Sequence, residues 1–189
     1  MKTILFNTPF GEDIPEPLPV RLIPDSAILA NRRPFFIPDF DDRWICTPAV
    51  AFRISRLGKS VGTKFASRYF DAMTLVARSI PVTLSERIEA GSTYSDLAFS
   101  FDGALLAGDW IPLPDTEAEF PVSIGDFSFS CSLAALNIDS AIHAISDYMM
   151  LKMGDIIIPA TFPHTAPLAI GSHLEGSLNG VECFSFRIK

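Results

Sequence analysis

Apolar and polar residues alternate along several stretches of the chain, which is typical of β-strands joined by tight turns. Residues 181–188 alternate directly after Asn179-Gly180, and Asn-Gly between alternating runs is a strong hairpin signal. Residues 121–133 predict a second hairpin, with serines alternating with larger apolar residues around a Gly125-Asp126 turn. Short apolar runs at 49–54, 73–77 and 105–113 predict further strands, the last one interrupted at Gly108.

Helical spacing is limited to two segments. Apolar residues at 138, 141, 142, 145 and 149 predict an amphipathic helix over 138–151. A short helix is predicted over 61–69, with Ser60 as its N-cap. Strands therefore outnumber helices, and several follow one another as hairpins. The pattern predicts an α+β, mostly β fold with mixed strand pairing and two or three helices.

The first 41 residues are interrupted by proline. Seven prolines lie between residues 8 and 41, and each removes a backbone donor and fixes φ. This part is predicted to form short edge strands joined by turns. No linker or repeat separates it from the rest, so residues 1–189 are expected to form a single domain with one core.

Composition excludes several classes of protein. The formal charge is −7, which argues against a surface for nucleic acid or an anionic membrane. Hydrophobic residues make up 48% of the chain, so it is not a disordered one. The chain shows neither a signal peptide nor an apolar run of membrane-spanning length, and its three cysteines form no metal or disulfide pattern. We therefore expect a cytoplasmic protein.

Without reference to any family, the motifs in the sequence do not identify a set of catalytic residues. Leu57-Gly58-Lys59-Ser60 resembles the end of a phosphate-binding P-loop, but position 53 is Arg where that loop needs glycine. Asp139, His143 and Asp147 lie four residues apart on the predicted helix. They could share a cation, but a solvated polar face opposite the apolar stripe is the favoured interpretation.

Six segments occur in the same order as in the fumarylacetoacetate hydrolase family, whose members include isomerases and hydratases of dienoate and keto-acid substrates. They extend over most of the chain, at 24–29, 34–40, 53–59 (Arg-Ile-Ser-Arg-Leu-Gly-Lys), 68–72, 101–103 (Phe-Asp-Gly) and 151–157. Through them the chain resembles this family. The resemblance implies a mixed β-roll with a small helical complement, and usually a homodimer.

The same segments place the family's metal ligands on residues that do not bind metal. The resemblance implies that its Glu-x-Glu pair falls on Thr47 and Ala49, and its third carboxylate on Arg78. Because Mg²⁺ and Ca²⁺ need several hard oxygen ligands, no metal and no other cofactor is expected. The family's catalytic lysine falls on Phe99.

The family's other working residues are also missing. No histidine precedes His143, so the N-terminal His and Glu acid/base segment has no counterpart. Its Thr-Gly-Thr-Pro substrate loop keeps only Thr161. The chain therefore resembles a degenerate member, a pseudoenzyme that has lost metal-dependent catalysis.

Three functions remain open. The first is a binding, scaffolding or partner subunit without catalysis. The second is a pocket for a small carboxylate such as a keto acid, in which Arg78 replaces the metal's charge and Thr161 adds a hydroxyl; alternatively, Arg78 pairs with an acidic side chain. The third is a surviving C–C hydrolase or isomerase, for which Asp102, Asp155 and His164 are the candidate residues.

Overall fold

Two β-sheets contain most of the secondary structure in the computed structural model, which describes residues 1–91, 95–115 and 118–189. Strand accounts for 40% and helix for 18%, so the predicted α+β, mostly β fold is confirmed. The strands are β1 (Thr3–Phe6), β2 (Val20–Ile23), β3 (Ile28–Ala30), β4 (Trp44–Ile54), β5 (Phe70–Pro81), β6 (Leu105–Ala107), β7 (Ile111–Pro112), β8 (Phe120–Ile124), β9 (Phe127–Cys131), β10 (Ile156–Ile158), β11 (Ala166–Pro167), β12 (His173–Leu178) and β13 (Val181–Arg187).

The helices lie between these strands. The α-helices are α1 (Val82–Ala90), α2 (Leu97–Ser100) and α3 (Ile138–Tyr148), and 3₁₀ segments occupy Asp25–Ala27 and Thr63–Arg68. Within the described residues, no helix has the length and apolar character that crossing a membrane requires.

The larger sheet is mixed and contains the long antiparallel pair β4–β5. Its order is β2-β1-β10-β4-β5-β6-β3, with β11 also pairing with β4 and β7 with β5. The β1–β10 and β3–β6 pairs are parallel. The proline-rich start of the chain supplies β2 and β3, which are the two edges of this sheet, as predicted for strands between prolines.

The smaller sheet, β13-β12-β8-β9, is antiparallel and contains both predicted hairpins. Asn179 and Gly180 have φ of 53° and 74°, the left-handed values that a two-residue hairpin turn requires. Gly176 of β12 packs directly on β5, because a Cβ there would lie 2.4 Å from a methyl carbon of Leu75. The main core therefore fills the space between the two sheets and α3.

Several boundaries differ from the sequence predictions: the strand predicted at 73–77 spans Phe70–Pro81, the helix predicted over 138–151 ends at Tyr148, and two further differences have a clear cause. Strand β4 begins at Trp44, not at residue 49, and runs through Pro48. The proline is tolerated because β10 pairs with one end of β4 and β11 with the other, while Pro48 lies between them. Ser60 is not an N-cap: its φ is 49°, and the 3₁₀ segment begins after Gly62 without a side-chain cap.

Candidate functional site

The β4–β5 pair brings together three of the positions singled out by the family resemblance. Thr47 lies directly opposite Arg78 in the antiparallel register, and Ala49 lies opposite Val76. Because side chains two residues apart share a face of a strand, all four lie on one face of the larger sheet. Ala49 and Val76 belong to the small core cluster on that face, against which Phe99 packs.

Helix α2 places the ring of Phe99 over the charge of Arg78. The guanidinium carbon of Arg78 is 4.8 Å from the ring centroid, and that of Arg21 is 5.3 Å from the same centroid. Both distances fit cation–π contacts. Arg21 also pairs with Asp96, with 3.4 Å between the nearest nitrogen and oxygen. Two strands and one short helix thus assemble two arginines around one aromatic ring.

A cavity of about 260 Å³ opens beside this cluster, and we call it the Arg78 cavity. Its charged lining residues are Arg21, Arg78 and the exposed Glu89. Its lining also includes polar Asn7, Ser85 and Ser95 and apolar Ile80, Ile88, Ala98 and Phe99. Phe99 covers part of the space where the resemblance places a lysine, but the cavity is not filled.

The side chain of Arg78 is partly buried, and within the described residues no acid pairs with it. Its Nε atom is inaccessible to solvent and has no hydrogen-bond partner. Across residues 1–91, 95–115 and 118–189, no ion pair or side-chain hydrogen bond of Arg78 is found, so pairing with an acidic side chain is not observed there. Burial, with a smaller effect from Arg21, lowers its pKa to about 10. Arg78 therefore stays charged at neutral pH and is poorly solvated.

These residues do not fit a divalent cation. Thr47 offers one neutral hydroxyl, Ala49 offers no donor, and Arg78 brings a positive charge to the same face. In the part of the chain that the structure describes, no cluster of three or more His, Cys, Asp or Glu residues is placed to hold a metal. On the surface of α3, His143 and Asp147 are exposed, and the His143 ring nitrogen lies 2.9 Å from the Val61 carbonyl oxygen.

Thr161 reaches the sheet but not the cavity. It forms an isolated antiparallel bridge with Ala49 and a parallel one with Pro9. Its N–H donates to the Thr8 carbonyl at 3.0 Å, and its carbonyl accepts from the Phe10 N–H at 2.9 Å. Thr161 therefore lies beside the former ligand positions and is not among the residues that line the Arg78 cavity.

The three residues considered for a surviving enzyme are also not brought to this cavity. Asp102 is exposed in a turn. The ring of His164 stacks on Phe127 with centroids 4.2 Å apart. Asp155 is 2% exposed and accepts hydrogen bonds from the Lys2 and Lys152 N–H groups and from the Lys2 ammonium. Asp155 therefore ties β10 to the start of the chain.

Sequence reasoning missed Arg21 and the wall formed by α1. Arg21 lies opposite Leu5 in the β1–β2 pair, 57 positions before Arg78 in the chain. Ser85, Ile88 and Glu89 of α1 line the cavity, although the sequence pattern did not predict this helix. The only sequence signal for Arg21 is that it is a cation in an otherwise apolar run between prolines.

Comparison with known proteins gives a match in fold but not in sequence. No family model matches the chain, and no curated protein matches its sequence. Fumarylpyruvate hydrolase from Pseudomonas aeruginosa, solved with Mn²⁺ and pyruvate, aligns with a TM-score of 0.83 and 13% identity over 100% of this chain and 89% of that one.

Two further solved structures agree with it. A Yersinia pestis protein whose proposed family is fumarylacetoacetate hydrolase aligns with a TM-score of 0.83 and 18% identity, over 100% of this chain and 92% of that one. For 5-carboxymethyl-2-hydroxymuconate delta-isomerase from Mycobacterium smegmatis, the TM-score is 0.81 and the identity 18%, over 99% and 78% of the two chains. The resemblance predicted from the sequence is thus confirmed at the level of the fold.

Proposed function

We propose that this chain is a non-catalytic relative of the fumarylacetoacetate hydrolase family that binds a small carboxylate in the Arg78 cavity. The observation that carries the proposal is the partly buried guanidinium of Arg78, whose Nε is sealed from solvent and which lacks an acidic partner among the described residues. A poorly solvated cation gains most from an anion that replaces its lost water. The Pseudomonas aeruginosa structure, with pyruvate bound in the same fold, supports a keto acid as the ligand class.

The cavity's lining suits such a ligand. A carboxylate can accept two parallel hydrogen bonds from the guanidinium of Arg78. Arg21, although paired with Asp96, adds a second guanidinium, and the polar side chains of Asn7, Ser85 and Ser95 can bind a neighbouring keto or hydroxyl oxygen. Its volume of about 260 Å³ limits the ligand to a small molecule, and the ring of Phe99 provides an apolar wall.

Loss of metal-dependent catalysis is the second part of the proposal. Thr47 and Ala49 supply at most one neutral oxygen donor where the resemblance implies two carboxylates, and the positive charge of Arg78 repels a cation. We expect Mg²⁺ or Mn²⁺ to leave the melting temperature unchanged, since only ions that bind the folded state stabilise it. A rise of several degrees, or metal-dependent turnover of an acylpyruvate, would contradict this part.

Isothermal titration with pyruvate tests the binding part. Wild-type protein is compared with Arg78→Met and with Arg87→Met, which removes an exposed arginine of α1 that does not line the cavity. We expect Arg78→Met to weaken pyruvate binding at least tenfold, because a hydrogen bond to a charged group is worth about 1.5–3 kcal/mol. Arg87→Met should bind like the wild type. Equal affinities for all three proteins, or no wild-type binding at millimolar pyruvate, would refute the proposal.

The partner role is a separate prediction. The resemblance implies a homodimer, and light scattering on the purified chain measures its mass directly. A monomer would remove this expectation, whereas the pyruvate titration tests the proposed cavity separately.

A further inference from the structure

A second concentration of positive charge lies outside the Arg78 cavity, in a chain whose net charge is −7. Residues 43–70 contain six Lys and Arg residues and no Asp or Glu. The other 161 positions hold nine cations and 22 acids. Such a segment is not explained by overall composition, because the rest of the chain is strongly acidic.

Three of these cations line one surface cavity of about 320 Å³, and a fourth, Lys64, lies against the ring of Phe65 in its lining. We call this cavity the basic pocket and define it by Arg56, Lys59, Phe65, Arg68 and Tyr69. The Lys64 ammonium and the Arg68 guanidinium lie 4.8 Å and 5.2 Å from the centroid of the Phe65 ring.

The four cations, Lys64 included, lack acidic partners. Within the three described ranges, none of them forms an ion pair. The Lys59 ammonium donates to the Asp147 main-chain carbonyl at 2.8 Å, which leaves two of its three hydrogens for other acceptors. The basic pocket therefore holds more positive charge than the surrounding protein neutralises.

The backbone beneath the pocket is held in place by hydrogen bonds. Gly58 exchanges two of them with Leu151, at 3.1 Å and 2.8 Å. The Ser60 N–H donates to the Ser146 carbonyl at 3.0 Å, and the Val61 N–H donates to the Ser146 hydroxyl at 2.8 Å. This loop includes the Gly-Lys-Ser sequence that resembles a P-loop end, but its Gly58 and Ser60 amides donate to the Leu151 and Ser146 carbonyls. The candidate ligands for an anion are therefore the side chains that line the pocket.

We propose that the basic pocket binds the phosphate group of a small phosphorylated molecule, independently of the carboxylate proposed at Arg78. Phosphate suits several converging cations better than a carboxylate does, because it carries up to two charges on three oxygens. Arginine binds it through two parallel hydrogen bonds, and lysine binds it as a point charge. The rings of Phe65 and Tyr69 offer an apolar surface to the organic part of the ligand.

Isothermal titration with inorganic phosphate, pyrophosphate and metal-free ATP tests this proposal, with pyruvate as the carboxylate control. The double variant Arg56→Gln/Arg68→Gln removes two lining cations. Its matched control is Arg33→Gln/Lys152→Gln, which makes the same charge change at exposed positions outside the pocket. We expect pyrophosphate or ATP to bind the pocket variant at least tenfold more weakly, the control less than threefold more weakly, and pyruvate equally in both.

Several results would overturn the proposal. The first is that the wild type binds no phosphate compound at 50 mM salt. The second is that the two double variants lose affinity equally, since the loss would then reflect net charge only. Tighter binding of a single-stranded oligothymidylate than of ATP would point to nucleic acid instead. Should the Arg68 change impair folding in a thermal melt, Arg56→Gln/Lys59→Gln measures the same loss without disturbing the contact with Phe65.

Discussion

The Arg78 cavity and the basic pocket both present arginine to an anion, but their surroundings differ. Arg78 is largely withdrawn from water between the central β4–β5 pair and α2, and burial lowers its pKa to about 10. Arg56 and Arg68 are exposed, like Lys59 beside them. The first site has one partly buried charge without an acidic partner in the described chain, whereas the second has several exposed ones.

This difference determines how each site gains affinity. A buried cation has already lost part of its hydration when the protein folds, so an anion that reaches it recovers that cost. An exposed cation keeps its water, and its attraction for an anion is weakened by the solvent and by salt. Binding at Arg78 should therefore be coupled to protein stability, and binding at the basic pocket to ionic strength.

The largest expected effect of this contrast is on stability. We predict that Arg78→Met raises the free energy of unfolding by on the order of 2 kcal/mol, because it removes a partly buried charge that has no acidic partner in the described chain. The folded-state pKa lies below its ordinary value, so folding disfavours the charged form relative to the unfolded chain, although Arg78 remains charged at neutral pH. The destabilisation that the charge causes is complete below about pH 10 and is relieved only above that pH.

Thermal melts at pH 7 measure this prediction, and Arg56→Met is the matched control. For a chain of this length, 2 kcal/mol corresponds to a melting-temperature rise of about 4–8 °C. The exposed Arg56 should change stability by less than about 0.5 kcal/mol. A lower melting temperature for Arg78→Met would mean that its guanidinium is paired, and the contrast between the two sites would fail.

The strands and turns were predictable where local chemistry decides them. Asn179-Gly180 and Gly125-Asp126 identify both hairpins, since few other residues adopt the turn conformations required there. The start of β4 was not predictable, because the tolerance for Pro48 depends on which neighbouring strands pair beside it. Propensity describes a residue alone, whereas sheet position depends on residues more than 100 positions away.

The candidate site could be predicted only in part. The resemblance singled out Thr47, Ala49, Arg78 and Phe99, and the register shows the first three side by side on one face. It could not predict Arg21 or α1, because no local pattern links residue 21 or residues 82–90 to residue 78. Residues 43–70 contain no acid, which is a sequence signal for the basic pocket, but the net charge argued only against a nucleic-acid or anionic-membrane surface.

The second-largest expected difference between the two sites is in how strongly salt weakens ligand binding. We predict that raising NaCl from 50 to 300 mM weakens pyrophosphate binding at the basic pocket about five- to tenfold, since exposed charges are screened over a few ångströms at the higher concentration. Pyruvate binding should weaken less than about twofold, because a partly buried charge is screened less than an exposed one. Titration calorimetry at four salt concentrations gives, for each ligand, the slope of the logarithm of the affinity against the logarithm of the salt concentration. Equal slopes for the two ligands would contradict the assignment of a partly buried and an exposed site.

The smallest predicted effect comes from Asp41, which supports one wall of the Arg78 cavity. Its carboxylate accepts the Arg43 N–H at 2.9 Å and the Leu84 N–H, in the first turn of α1, at 2.7 Å. Burial raises the pKa of this carboxyl, but these hydrogen bonds and those from Thr83 outweigh burial and hold the pKa below its ordinary value. We predict that Asp41→Ala costs about 1 kcal/mol, as loss of a helix cap does.

The same change should weaken pyruvate binding about two- to threefold and leave pyrophosphate binding unchanged, because α1 supplies Ser85, Ile88 and Glu89 to the Arg78 cavity only.

The stabilisation of the fold by the Asp41 carboxylate is present above the unfolded-state pKa, near the ordinary value of 3.8, and disappears as the pH falls through the lower folded-state pKa. Unfolding curves from pH 3 to pH 7 should therefore show wild type and Asp41→Ala converging toward the acid end. Asp42→Ala, at an exposed neighbour, is the control. Equal weakening of both ligands would mean that α1 supports the whole fold and not this cavity in particular.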